Sequence, residues 1–441
     1  MIDLDLLIPD EVPEAWPVNS RRRWLTVGTL LLVLLAVSGA VVPLPPGLVQ
    51  VRTATLVPTS TYRIMGDTLY VAEARADGNR VTAYPLDPGV ARWSTPVDVL
   101  ASDLAMDEIA DVVLVGMFQP GVSGDHTVAL DRRTGTVRWH SPLNVAALDR
   151  VRDRVVLTEY PAAGLGSGPP PTRIVVLTAA TGRRVWTYQR DSGCEGDLPY
   201  TVDRPGTGLA LLCRDGTLTV VDLDTGRVRA SVDVPQTADL VQSRSNGYTQ
   251  IPFGARVAGL PDRVVVSYPA AGRTVLISFE EDRLREDWTS VVDQGNYGIL
   301  DCGPRICLGN ATTEVALDRG TGAVVWRVRP VGFATPLIDR YVLVAPAEFG
   351  DVHLVDVGTG EVVMDLGGWT VEAAPTGRPM FFRSDGATGR TWVARLAAGS
   401  AGVEVLGFVP NARAETCGSA GGYVVCRTVR DTIGVWRYNG S

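Results

Sequence analysis

Six cysteines, three histidines and a recurring aspartate are the side chains in this sequence with chemistry to offer. The cysteines fall as Cys194 and Cys213, Cys302 and Cys307, and Cys417 and Cys426. Six thiols allow about fifteen pairings. No CxxC occurs, so a zinc site lacks its usual ligand spacing. His126, His140 and His353 lie far apart, and each reads as a solvated strand-end residue rather than a base or metal ligand. There is no HExxH, GxSxG, P-loop or intact GxGxxG, and Gly164–Gly168 reads as a flexible loop. Asp131, Asp222, Asp318 and Asp356 recur in one local context, which argues for turn capping rather than a catalytic carboxylate pair. No catalytic, cofactor-binding or metal residue is assigned on this basis, and enzymatic activity stays open.

The elements that must hold these residues are short strands. The stretch Asp131–Trp139 (DRRTGTVRW) returns with variations along the chain. Val128 and Leu130 alternate with neighbours of the other face, as in a strand. Asp131 opens a turn, and Gly135 tolerates the positive φ such turns need. Aligning the turn glycine gives Gly89, Gly135, Gly182, Gly226, Gly322 and Gly360. Trp93, Trp139, Trp186 and Trp326 stand four residues after the first three and after Gly322. Ala230 and Met364 replace tryptophan after Gly226 and Gly360. Trp288 marks a copy whose turn has no glycine, and a weak copy runs through Gly402 to Leu406. One such unit cannot bury both its faces, but stacked copies can.

The pattern ALDxxTGxxxW resembles the quinoprotein-like propeller repeat across most of residues 50–441, most closely in ALDRRTGTVRW and ALDRGTGAVVW. The resemblance implies an all-β propeller of four-stranded blades, with the Thr-Gly turn and the tryptophan docking blade to blade. Some members are dehydrogenases that hold pyrroloquinoline quinone near the ring axis with calcium. Others are cofactor-free, such as the lipoprotein subunit of the outer-membrane β-barrel assembly machine. The dehydrogenases' calcium ligands and catalytic aspartate map onto no residue here, and no two cysteines are adjacent. The expectation is therefore the cofactor-free envelope branch, with a quinone–calcium cofactor open but unsupported. The final unit, Arg413–Tyr438, lacks an outer strand, and Leu48–Leu56 is a spare one. Pairing them would close the ring and remove an exposed edge. Eight blades are expected, and nine are possible by count.

In the repeat register, the second cysteine of each pair sits on the second strand of its unit and the first lies just before it. The expected bonds are Cys194–Cys213, Cys302–Cys307 and Cys417–Cys426, with buried free thiols as the alternative. Long connections between second and third strands at residues 116–125, 160–172 and 345–351 would share one face. They carry Phe118, Tyr160 and Phe349, a possible partner face. A further insertion, residues 242–256, carries Tyr248 and Phe253.

The N-terminus has a different composition. Residues 1–20 are acidic, Arg21–Arg23 follow, and an uncharged stretch runs from Trp24 to about Leu44. Helical rise makes that stretch about 31 Å long, close to the ~30 Å hydrocarbon core. The arginines place the N-terminus inside. The expected domains are a cytoplasmic tail over 1–23, a transmembrane helix over 24–44, and an extracytoplasmic propeller over 45–441. A cleaved signal peptide is the alternative to an anchor. Oxidising conditions outside would suit disulfides. Net charge is −8, which disfavours nucleic acid, and every basic residue is arginine, as a GC-rich genome favours. The reading is a single-pass, membrane-anchored scaffold of the bacterial cell envelope that binds a protein or glycan without catalysis. A quinone-dependent oxidoreductase and a ligand-binding sensor signalling through the helix are the alternatives.

Overall fold

The computed structural model describes residues 47–438, apart from 56–59, 76–77, 88, 99–103, 118–126, 160–171, 198–207, 242–253, 294–297, 310–312, 329–332, 339, 346–351, 373–378 and 398–401. The tail and span expected over 1–44 lie outside the described residues. Among those residues, no helix is long and apolar enough to cross a membrane.

Among the described residues the strands form nine antiparallel four-stranded sheets. Eight run in chain order over residues 61–97, 104–141, 144–189, 194–233, 256–292, 298–328, 333–366 and 370–410. The ninth joins both ends of the described chain: Leu48–Thr55 pairs with Thr432–Tyr438, beside Tyr423–Arg427 and Gly418–Ala420. The blade number is therefore nine, not the favoured eight. The degenerate eighth and ninth blades are full sheets, although neither carries a close copy of the repeat.

Strand pleat explains how one blade serves two neighbours. Val113 and Val115 point into a cluster shared with the first blade, and Val112 and Leu114 into one shared with the third. Middle strands are thus apolar on both faces, as in Gly208–Cys213, where every residue is buried. Nine apolar clusters fill the nine junctions, the last uniting Leu69 and Val71 of the first blade with Val425 and Val435 of the ninth. Each fully buried Val or Leu contributes roughly 1.5–3 kcal/mol. Leaving the ring open would expose two such faces. First strands of neighbouring blades approach one another, which puts them nearest the axis. Fourth strands lie outermost and expose residues such as Val137 and Val228.

Candidate functional site

The tryptophans and turn glycines meet across blade junctions. Trp139 of the second blade lies under the 178–183 turn of the third. Its indole Nε1 donates to the Ala179 carbonyl at 2.7 Å. Gly182 has φ +64°, and a Cβ there would stand 2.4 Å from the Trp139 ring. Trp93 meets Gly135, Trp186 meets Gly226, Trp288 meets Gly322 and Trp326 meets Gly360 in the same way. Their indoles donate to the carbonyls of Arg132, Leu223, Arg319 and Val357 at 2.8–3.0 Å. Glycine is required twice over, for the left-handed backbone and for the space under it. Gly89 departs from this set. Its φ is not positive, and a Cβ there would meet Pro85 at 3.3 Å, not an indole. Spacing alone grouped it with the others.

The recurring aspartates cap these turns. Asp131 Oδ1 accepts from the backbone N–H groups of Arg133 and Thr134 at 2.9 and 2.8 Å. Asp222, Asp318 and Asp356 accept equivalent bonds. The Arg138 guanidinium beside Asp131 holds its carboxyl well below the usual carboxylate range. Ion pairs such as Arg150–Asp107 and Arg152–Asp224 link neighbouring blades on the same side.

The six cysteines form Cys194–Cys213, Cys302–Cys307 and Cys417–Cys426. Cys194 and Cys213 face each other directly across two strands. Cys302 lies diagonally from Cys307, whose cross-strand partner is Leu300. His140 is exposed on the second blade and His353 is half-buried on the seventh, so the fold keeps them apart. His126, Phe118, Tyr160, Phe349, Tyr248 and Phe253 lie outside the described residues. The strands bounding 118–126, 160–171 and 346–351 are second and third strands of their blades.

Two sites are absent from the sequence reading. Glu314 opens the third strand of the sixth blade, fully buried. Neither carboxylate oxygen has a hydrogen-bond partner among the described residues, and burial pushes its pKa up to about 8. Matching positions in the ladder hold Thr127, Ile174, Leu218, Leu276 and Val352. The signal was present in the two best copies, TVALD and EVALD, but lay upstream of the turn.

The second site is a cavity of about 330 Å³ where the ring closes. Its walls come from residues 60–64 of the first blade's entry and inner strand, Glu372 of the eighth blade, and 415–418 and Arg427 of the ninth. The inner strands Thr370–Glu372 and Gly418–Ala420 have three residues each, against four to six in the other inner strands. Short inner strands cover less of the axis. Glu372 accepts from Ser419 Oγ at 2.9 Å, and burial pushes its pKa up to about 7. Burial likewise pushes the Tyr62 phenol up to about 12, and its hydroxyl donates to the Thr416 carbonyl. Arg63 donates to the Met106 carbonyl at 3.0 Å. These residues sit far apart in the chain and outside the repeat motif, so no sequence pattern pointed to them. Among the described residues, no group of three or more His, Cys, Asp or Glu is placed to hold a metal.

The family model described as outer membrane protein assembly factor BamB matches residues 111–301. The matched residues carry the repeats whose pattern resembles the quinoprotein-like propeller. The chain is similar to BamB from Moraxella catarrhalis at 16% identity and TM-score 0.45, covering 89% of this chain and 98% of that one. It is similar to the computationally designed Ika8 protein at 16% identity and TM-score 0.48, covering 75% and 95%. It is also similar to the dihydro-heme d1 dehydrogenase NirN in complex with DHE, at 19% identity and TM-score 0.45, covering 71% and 66%. No curated protein matches the sequence. The matched quinoprotein-like repeats span the second to fifth blades and the start of the sixth. They include six of the tryptophan and turn-glycine positions in the ring, Gly135, Trp139, Gly182, Trp186, Gly226 and Trp288.

Proposed function

We propose that the protein is a scaffold of the cell envelope, held at the membrane by residues 24–44 with its propeller outside. It docks protein partners on the face that bears the connections 118–126, 160–171 and 346–351. The observation that carries this reading is that all six cysteines are bonded, which suits an oxidising compartment. The repeat's tryptophans, glycines and aspartates are used in blade-to-blade contacts and turn caps, so the variable connections are the surface left to specify a partner. The BamB-like match over 111–301 supports a protein-binding role.

Two measurements test this. Protease added to intact spheroplasts should digest the propeller and spare the N-terminal tail. Cross-linking from outside should capture partners that are lost in a Phe118→Ala, Tyr160→Ala, Phe349→Ala variant. A protease-resistant propeller, or an unchanged set of partners, refutes the proposal.

A further inference from the structure

We infer that the Thr-Gly turn face of the propeller rests on an anionic lipid surface, with the loop face turned away from it. The inference rests on the proposed membrane anchor and adds the ring's orientation and the class of lipid it meets. The covalent chain reaches the ring at the turn face. Leu48 pairs with Tyr438, whose N–H donates to the Gly422 carbonyl at 3.0 Å, in the turn between the ninth blade's first and second strands. Turns of that kind adjoin the Thr-Gly turns. The Arg132 N–H donates to the Asp111 carbonyl and the Ala179 N–H to the Asp153 carbonyl, both at 2.9 Å. The uncharged stretch ends at about Leu44. Three residues of extended chain, from there to Gly47, span at most about 11 Å. Second strands run away from this face, and the connections 118–126, 160–171 and 346–351 begin at their far ends.

Charge and apolar surface at this end select the occupant. Arg133, Arg183, Arg227 and Arg283 stand exposed in the third-to-fourth-strand turns of the second to fifth blades. Among the described residues, none of their guanidinium groups has a hydrogen-bond or ion-pair partner. Acidic side chains around them are engaged elsewhere: Asp131 by Arg138, Asp222 by Arg229, Asp224 by Arg152 and Glu280 by Arg285. Exposed Asp153 and Asp282 offset part of the free positive charge. Near an anionic bilayer each basic side chain strengthens attachment roughly fivefold. Exposed valines stand among the arginines. Val90, 87% exposed, lies in the first blade's third-to-fourth-strand connection, and Val151, 63% exposed, in the third blade's first turn. Val137, Val228, Val324 and Val362 open outer strands directly after the Thr-Gly turns and are exposed. Apolar tips among basic groups suit the headgroup boundary, where valine leaves water and guanidinium meets phosphate. The chain's point of entry favours lipid over an acidic protein, because it brings this face to the bilayer and not the loop face.

The test uses the full chain reconstituted in bilayers, with a bimane label on Asp282→Cys at the turn face or Arg273→Cys at the loop face of the fifth blade. The native cysteines are all bonded, so the label goes to the introduced thiol. Bilayers of phosphatidylcholine, with or without phosphatidylglycerol, carry a nitroxide-headgroup lipid as quencher. With phosphatidylglycerol, quenching at position 282 should be at least threefold stronger than at position 273. It should fall at least threefold without phosphatidylglycerol, and in a variant combining Arg133→Gln, Arg183→Gln, Arg227→Gln and Arg283→Gln. Near-UV circular dichroism checks folding. Equal quenching at the two positions, stronger quenching at 273, or quenching at 282 unchanged by the four substitutions overturns the inference. So does a label at 282 that ignores lipid but responds to polyglutamate, which would give the arginines to an acidic protein. Vesicle flotation separates this from failure of the anchor. A chain that does not float with phosphatidylcholine vesicles lacks the anchor. Flotation with phosphatidylglycerol vesicles alone, abolished by the four substitutions, would still uphold the lipid-binding face, and flotation with neither overturns it.

Discussion

The junction between the second and third blades and that between the fourth and fifth fill the same space with opposite parts. In the first, Trp139 on the outer strand supplies the bulk and Gly182 in the facing turn supplies the room. In the second, the outer strand carries Ala230, and the facing turn has Leu284 at φ +49°. The turn keeps its geometry, with Leu284 N–H donating to the Glu280 carbonyl at 2.9 Å, as Gly182 donates to Thr178. Leu284 is 3% exposed and packs in the cluster that Ala230 borders. Bulk has moved from strand to turn, and the turn has accepted a strained backbone for a leucine. The constraint is therefore the filled volume between blades, not tryptophan or glycine as such.

Breaking the first kind of junction should have the largest effect. Gly182→Ala forces both a positive φ and a Cβ into the indole, and should cost about 3 kcal/mol in urea unfolding. Gly89→Ala, with neither constraint, should change stability by less than about 1 kcal/mol; equal losses at the two sites would undo the distinction. Replacing Cys417 and Cys426 by serine releases a short loop in the closing arc. Chain entropy puts that loss at about 2.5 kcal/mol, read in the same assay. An unchanged midpoint would mean that the closing arc does not depend on this bond.

Glu314→Leu should stabilise the protein, by about 2 kcal/mol at pH 8, because it replaces an unpaired buried carboxyl with the residue that Leu218 and Leu276 place there. Burial raises this carboxyl from 4.5 to about 8. Between those values the folded chain holds a proton that the unfolded chain releases, so wild-type stability falls as pH rises across that window. The variant should lose that slope, and its advantage should shrink toward pH 4.5. A parallel pH profile in both proteins would contradict the assignment. The smallest effect is a rebuilt junction. Ala230→Trp and Leu284→Gly should each destabilise alone, while the double variant recovers about 1 kcal/mol of coupling. Simple additivity would show that the two positions do not share one volume.

Legibility follows distance along the chain. Asp131, Gly135 and Trp139 were readable because a turn and its flanking strands repeat their local chemistry in each copy. The cysteine pairs were readable for the same reason: each bond lies within one blade, 5 to 19 residues apart. Glu314 was readable in principle, as the charged residue in EVALD against TVALD, once the alignment reached past the turn. Leu284 was not, because its partner Ala230 belongs to another blade and a missing glycine looks like decay of the repeat.

By itself the sequence determined that this chain builds stacked four-stranded sheets, where the turns fall, and which cysteines lie close. Pleat, turn geometry and strand pairing are local and recur with each copy. Only the tertiary structure decided that there are nine blades, that Leu48–Thr55 completes the last, and that Ser60, Glu372 and Gly418 surround one cavity. Those outcomes depend on the angle at which each blade meets the next, summed around a ring. Inter-blade packing sets that sum, and it brings the two ends of the described chain together.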